Sequence, residues 1–422
     1  VRLEKIMKIT LSVIVLFLSM VPLLVYLVNK IVPDPYMDEI FHHSQTSAYC
    51  HGHWGYWNPG LTTPPGSYIL PLITRACNRI QDMRLINTAW LAIAALSVWL
   101  ALEQSQGLGP ERRLLKTVET ISHPILLFHT LLYYTDIPSL AITLITIISI
   151  RYRYTTISAV IASISILFRQ TNIIWLMFAC LERLIKDYGQ SDSPIQMIRS
   201  CLKNFRAILW EYGAIIVLAL GCVMAAIVNG SIVLGDKSHH IAMVHLVHPL
   251  YFSLFTCLAQ WRLPHLPTIP FLKSAALVPI LAFIIHHTTF AHPFILSDNR
   301  HYVFYIWKNF FTQFPIFRYL LIPLYIWSYS VISSLFNDNR KPFLWQIAFW
   351  FCTCLALVPT PLIDPRYYIV PFVLISLEES RASNQKLLLN ISLNMMVNLI
   401  TIYIFLFRPF TWVDGSIARF MW

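Results

Sequence analysis

Charge is scarce in this chain: of its 422 residues only 12% are Asp, Glu, Lys or Arg, while 57% are hydrophobic. Soluble domains hold about 45–50% apolar residues, so this composition excludes an ordinary water-soluble fold and makes the bilayer the solvent. Acids are scarcer than bases, 20 against 31, giving a formal charge of +11. The excess does not point to nucleic acid, because the basic residues are scattered between apolar runs and form no stripe. There is no internal repeat, no low-complexity tract and no soluble segment of appreciable size. Eight cysteines over this length are too few for a disulfide scaffold.

What is abundant is long apolar sequence. Runs such as Ile9 to Val28, Leu85 to Leu102, Ala214 to Val228 and Leu387 to Phe407 approach the ~20 residues a spanning helix needs and show no strand alternation. An all-α polytopic protein is therefore expected rather than a barrel. Spans are expected near 6–30, 84–103, 117–133, 136–150, 155–168, 173–185, 208–228, 241–260, 274–290, 316–335, 343–359, 367–378 and 387–407, about 13 in all. The first run is too long for a cleaved signal peptide and has no small-residue cleavage site, so it reads as a retained span.

Alternating the connections puts Arg2, Lys5, Lys8, Arg112, Arg113, Lys116, Arg151, Arg153, Arg183, Lys186, Arg262, Arg381 and other basic residues on one side, mostly in short connections. The positive-inside rule makes that side cytoplasmic. The amino terminus is then cytoplasmic, and the sequon Asn229-Gly230-Ser231 falls on the other side, where a glycosylation acceptor belongs. Cys50 and Cys77 are the two cysteines on that side, and a bridge between them is open in an oxidising compartment.

Any reactive surface must be built from non-cytoplasmic loops resting on helices. The longest, residues 32–83, mixes Tyr36, Tyr49, Trp54, Tyr56, Trp57 and Tyr68 with Pro and Gly; such rings either anchor at the interface or stack on sugars. It also carries Asp38 and Glu39 side by side. Adjacent acids can simply be a solvated helix terminus, but a carboxylate at a membrane interface can take a proton from a hydroxyl. Transfer from a phosphate-linked donor also needs positive charge for the departing phosphate. Arg169, Lys237, Arg300 and Arg366 lie on the same side at span ends, where snorkelling or pairing is the plainer alternative for each alone. Asp136 sits at a turn between spans as a helix cap or as a ligand for hydroxyls, and both readings stand. His42, His43, His51 and His53 are read as hydrogen-bonded or solvated rather than as a metal site.

Eight segments then occur in order: PYMDEIFH, NPGLTTPPG from Asn58, LYYTD ending at Asp136, FRQTNIIW from Phe168, GDKS from Gly235, AHPFILSDNRHYVFYIWK from Ala291, PRYYIVP from Pro365, and RFMW from Arg419. On these segments the chain resembles the eukaryotic dolichyl-phosphoglucose-dependent α-1,2-glucosyltransferases, which add the last glucose to the lipid-linked oligosaccharide of asparagine-linked glycosylation. The resemblance implies a GT-C type fold with a lipid-facing donor groove. It places the catalytic carboxylate on Asp38, with Glu39 as its neighbour or as an acceptor ligand; Asp136 and Trp57 are expected toward the acceptor. Arg300, His301 and Arg366, with Arg169 and Lys237, are the implied donor-phosphate ligands, and residues 291–315 form a second luminal loop around the Asp-Asn-Arg-His-Tyr motif. The implied reaction is one inverting displacement between dolichyl phosphate glucose and a diglucosylated dolichyl-diphosphate oligosaccharide. It needs no metal, cofactor or nucleotide, and it takes place in the endoplasmic-reticulum membrane on the luminal side, by a monomer among membrane lipids. Two positions depart from the family pattern: Asn58 stands where Asp is usual, and Asp364 where Glu is common. A transporter or flippase would instead predict discontinuous helices around a mid-membrane site and often a repeat. A channel-accessory protein would need neither the acidic pair nor the basic groups.

Overall fold

The computed structural model describes residues 2–77, 79–104, 108–189, 192–237, 241–261, 271–379 and 382–422. Ser238 and His239 of the Gly235 segment, and the basic residues Arg262 and Arg381, lie outside the described residues. The chain forms two compact units: residues 1–121, 129–240 and 342–352 make the first, and 122–128, 241–341 and 353–422 the second.

The first run of helices is α1 (Arg2–Ile31), α2 (Glu39–Cys50), α3 (Gly66–Thr74), α4 (Ile80–Glu103), α5 (Pro110–Ile121), α6 (Pro124–Thr130), α7 (Asp136–Arg151), α8 (Thr155–Phe168), α9 (Asn172–Tyr188), α10 (Pro194–Lys203) and α11 (Phe205–Asn229). It continues with α12 (His248–Ala259), α13 (Phe271–Thr288), α14 (Pro293–Ser297), α15 (Tyr302–Ile306), a π-turn (Trp307–Thr312), α16 (Phe317–Leu320) and α17 (Ile322–Asp338). The last elements are α18 (Phe343–Leu357), a 3₁₀ turn (Pro365–Tyr368), α19 (Ile369–Glu378), α20 (Asn384–Phe407), β1 (Phe410–Thr411) and β2 (Ile417–Ala418). Among the described residues, four helices are long and apolar enough to cross a membrane: Ile80–Glu103, Phe205–Asn229, Phe317–Asp338 and Asn384–Phe407.

Helix α11 shows what the solvent must be. Trp210 is 92% exposed and Val228 82%, with Val217, Leu220 and Ile227 bare along the same helix. Soluble monomers do not leave so continuous an apolar surface to water. Helix α7 is the opposite case: nearly every side chain from Asp136 to Ile150 is buried, against α4, α8 and α9. It carries Asp136 at one end and Arg151 at the other, about 22 Å apart at the helical rise. Asp136 pairs with Arg169 at 2.9 Å and Arg151 with Glu182 at 2.7 Å, so each end of unit one has its own polar cluster.

Two expected spans come out differently. Residues 117–133 are not one helix: α5 stops at Ile121 and α6 starts at Pro124, because the residue before a proline is pushed out of the α region and proline has no N–H to give the ladder. Residues 241–247 are not helical either: 241–245 have no regular structure and 246–247 turn into α12, with Met243 N donating to Pro359 O at 3.1 Å and His245 N to Val358 O at 3.0 Å. Hydropathy alone also missed α10, whose Ile195, Ile198 and Leu202 are exposed beside basic Arg199 and Lys203, the pattern of a helix lying in an interface.

In unit two α17 packs on α12, α13 and α19. Asn390, Asn394 and Asn398 lie buried on one face of α20 at four-residue spacing. Asn394 accepts from Trp261 Nε1 at 3.1 Å, and Asn398 donates to Ser122 O at 2.7 Å. Amides of this kind join helices where lipid supplies no hydrophobic drive.

Candidate active site

The first site starts from a bend. Pro33 and Pro35 fix the chain leaving α1, and Met37 then adopts a left-handed backbone (φ 58°), a conformation costing a non-glycine residue about 1–2 kcal/mol. The bend delivers Glu39 and Asp38 to opposite fates. Glu39 is completely buried. It accepts from Arg84 Nε at 2.8 Å, Arg84 Nη2 at 2.6 Å, Tyr36 N at 3.0 Å and Tyr133 N at 2.6 Å. Arg84 spends its other N–H groups on Asn29 Oδ1, Val32 O and Asp34 O. Glu39, expected as the neighbour of Asp38 or as an acceptor ligand, has its oxygens engaged in tying the loop to α1, α4 and the turn before α7.

Asp38, half-buried, stands just ahead of α2, where the helix dipole favours negative charge. Its backbone N–H meets Tyr134 Oη at 3.4 Å. Behind it His42 is fixed by Tyr133 O at 3.0 Å inside a ring of Tyr68, Tyr133 and Tyr134, which makes it a core histidine. Tyr133 donates to Ser67 O, and Tyr68 shares a 2.9 Å hydrogen bond with Thr63. Burial drives the Tyr68 hydroxyl pKa up; Thr63 lowers it, Asp38 raises it further and Arg169 lowers it, so the Asp38 and Arg169 charges both reach this ring. Trp57 lies edge-on to Tyr68 at 6.2 Å.

Asp136 does not cap α7, since Thr135 holds the cap position; its buried carboxylate is paired with Arg169, whose Nε also donates to Thr135 Oγ1 at 3.3 Å. Lys237 donates to Asn229 O at 2.7 Å and Oδ1 at 3.2 Å, while the Asn229 amide donates to Ser231 O and Val233 O. Cys50 and Cys77 are joined in a disulfide that closes the segment containing Asn58 to Gly66. Gly235 touches that segment so closely that a Cβ would stand 1.7 Å from Leu61 O and 2.9 Å from Pro59 O, so only glycine fits. A Cβ on Gly66 would likewise meet Leu167 O at 2.7 Å, and Gln170 donates to Thr62 O at 3.0 Å. Five of the sequence motifs thus meet in unit one.

Unit two uses a repeated device. In Asp298-Asn299-Arg300 the carboxylate accepts from Arg300 N at 3.0 Å and from Nε and Nη2 at 2.8 Å each. In Asp364-Pro365-Arg366 it accepts from Arg366 N at 2.9 Å and Nε at 2.7 Å, with Nη2 at 2.6 Å. Both are Asp-x-Arg clamps, an Asx-type turn closed by a charged fork. Burial pulls each aspartate's pKa up, yet the clamping arginine and the nearby His301 outweigh it and hold both below the ordinary carboxylate range. The same His301 acts on both acids, which puts the two clamps in one neighbourhood. His301 Nδ1 faces Trp422 O at 3.0 Å, and Nε2 lies 3.8 Å from Asp298. Arg84 and Tyr134 were not singled out by sequence, whereas Asp364 was named and pairing was the plainer reading of Arg300 and Arg366. The one legible signal was an arginine at the start of an apolar run, facing a loop with more acids than its partners.

Fold and site define a helical membrane protein whose ionisable groups gather at helix ends, the places where such groups mark a reaction or transport path. The model of the DIE2/ALG10 family matches residues 32–377, and the chain belongs to that family. It is 31% identical to a human protein named Dol-P-Glc:Glc(2)Man(9)GlcNAc(2)-PP-Dol alpha-1,2-glucosyltransferase, over 93% of this chain and 94% of that protein. Proteins of the same name from Candida albicans and Arabidopsis thaliana are 30% and 27% identical, each over 94% of this chain and 96% of theirs. No solved structure matches.

Proposed function

We propose that this chain moves glucose from dolichyl phosphate glucose to the terminal glucose of the diglucosylated dolichyl-diphosphate oligosaccharide, forming an α-1,2 bond with inversion. The reading is carried by near full-length similarity to proteins bearing that activity in their name, in animals, plants and fungi. Asp38 takes the proton from the acceptor 2-hydroxyl as its oxygen bonds to C1 of the donor glucose. The bond from C1 to the phosphate oxygen breaks with its electron pair, and dolichyl phosphate departs. Arg300, His301 and Arg366 neutralise that phosphate. Arg169, which pairs with Asp136, and Lys237, which donates to Asn229, are the further ligands of the same phosphate. Trp57 and Asp136 lie on the acceptor side, through ring stacking and hydroxyl contact. The lipid phosphate already activates the sugar, so the chemistry calls for no metal, cofactor or nucleotide. The finer assignments belong to the same proposal: a GT-C fold of about 13 spans, a monomer in the endoplasmic-reticulum membrane with its site toward the lumen, and glycosylation at Asn229.

The test is the purified chain in lipid nanodiscs with dolichyl phosphate glucose and the diglucosylated acceptor. One added hexose in α-1,2 linkage is expected. Transfer from dolichyl phosphate mannose instead, or only to a less glucosylated acceptor, would assign the chain to another dolichol-dependent transferase. Movement of lipid across a vesicle without glycosidic product would favour the flippase.

A further inference from the structure

One part of unit two has no role in the scheme above: the segment after α20. It turns at Gly415 (φ +84°) into the β1–β2 hairpin and then returns along the Asp298–Tyr302 motif. Trp412 and the last residues touch that motif at every position from 299 to 302. Trp412 Nε1 donates to Asn299 Oδ1 at 2.8 Å, and the Arg300 guanidinium carbon lies 4.6 Å from the centre of the Trp412 ring. Met421 N donates to Arg300 O at 2.9 Å, Tyr302 N to Met421 O at 3.4 Å, and His301 Nδ1 faces Trp422 O at 3.0 Å. The segment is itself pinned: Arg419, nearly buried, donates to Phe405 O and Leu406 O at the end of α20.

The physical consequence is orientation. Asp298 fixes the Arg300 fork in its own plane, but two hydrogen bonds in a plane leave the group able to rock about that edge. An indole stacked on one face removes this motion and adds cation–π attraction. The Trp422 carbonyl does the same for His301 by claiming the Nδ1 proton, which directs Nε2 toward Asp298. We propose that Phe410–Trp422 is a positioning element for the donor-phosphate ligands, with Trp412 and Met421 as positioning residues for Arg300 and His301. This rests on the assignment of Arg300 to the donor phosphate.

The test measures donor KM, acceptor KM and kcat in nanodiscs for Trp412→Ala, Trp412→Phe, Met421→Pro and Arg300→Ala, with thermal unfolding of each. Trp412→Ala is expected to raise donor KM about tenfold with acceptor KM unchanged, and Trp412→Phe, which keeps a stacking ring, to recover most of it. Met421→Pro deletes the N–H that donates to the Arg300 carbonyl and is expected to raise donor KM about fivefold. If Arg300→Ala raises donor KM while Trp412→Ala and Met421→Pro leave it at the wild-type value, the positioning role is overturned. Equal loss of turnover in Trp412→Ala and Trp412→Phe, with both KM values unchanged, would make the segment merely structural and overturn it too. If Arg300→Ala itself leaves donor KM unchanged, the phosphate assignment fails instead.

Discussion

The two units put the same chemical pair to opposite use. In unit one, arginines serve acids: Arg84 immobilises Glu39 and Arg169 holds Asp136, and the loop so braced presents Asp38. In unit two, acids serve arginines: Asp298 and Asp364 clamp Arg300 and Arg366 through near-identical Asp-x-Arg turns. On the proposed mechanism Asp38 accepts the proton of the attacking hydroxyl, and the guanidinium groups proposed to meet phosphate gain from being pre-oriented. Composition gives no hint of this division, because both units draw on the same few residue types.

The sharpest way to break the contrast is to remove a brace in unit one. Arg84→Ala strands a fully buried carboxylate and is expected to cost about 3–5 kcal/mol of stability, whereas Arg84→Leu with Glu39→Leu should recover much of the loss. Thermal unfolding in detergent checks this, and a stable Arg84→Ala protein would show that Glu39 is not an anchor. Next in size, Asp38→Asn should unfold like the wild type yet turn over at least ~100-fold more slowly, the loss expected for a general base. Near wild-type turnover in the nanodisc assay would remove Asp38 from the chemistry. Gly235→Ala forces a methyl against the Leu61 carbonyl; the cost should be about 1–3 kcal/mol, read as a lower unfolding temperature with poorer acceptor use. No change in either would mean that the Asn58–Gly66 segment relaxes freely away from residue 235.

The smallest effect sharpens unit two. Because Asp364 is held below its unfolded pKa of about 3.9, its contribution is fully present above that value and fades only as pH falls through the lower folded pKa. The difference in unfolding temperature between wild type and Asp364→Asn should therefore stay constant from about pH 8 to 5 and narrow below about 4. Narrowing already between those upper limits would show that the clamp is not a charged pair.

Much of the proposed site could be named from the residues, but the contacts of its members could not. Asp38, Arg300, His301 and Arg366 stood out because charge at the edge of an apolar run is costly and therefore informative. The same logic could not tell Glu39 from Asp38, because the partner that engages Glu39, Arg84, is 45 positions away. Asp136 could be read as a cap until Arg169 closed on it from the far end of α8. The breaks before Pro124 and His248 escaped because hydropathy averages over windows longer than the break.

Apolar run length, the order of charges between runs, and the short motifs fixed the solvent, the helical class and the candidate reactive groups, since each depends only on neighbours along the chain. Which of two adjacent acids is anchored, which arginines are clamped, why residue 235 must be glycine, and that Trp412 covers Arg300 were decided by the tertiary structure alone. Those outcomes depend on contacts between groups far apart in sequence, and a buried charge or a missing Cβ has its meaning only from what closes around it.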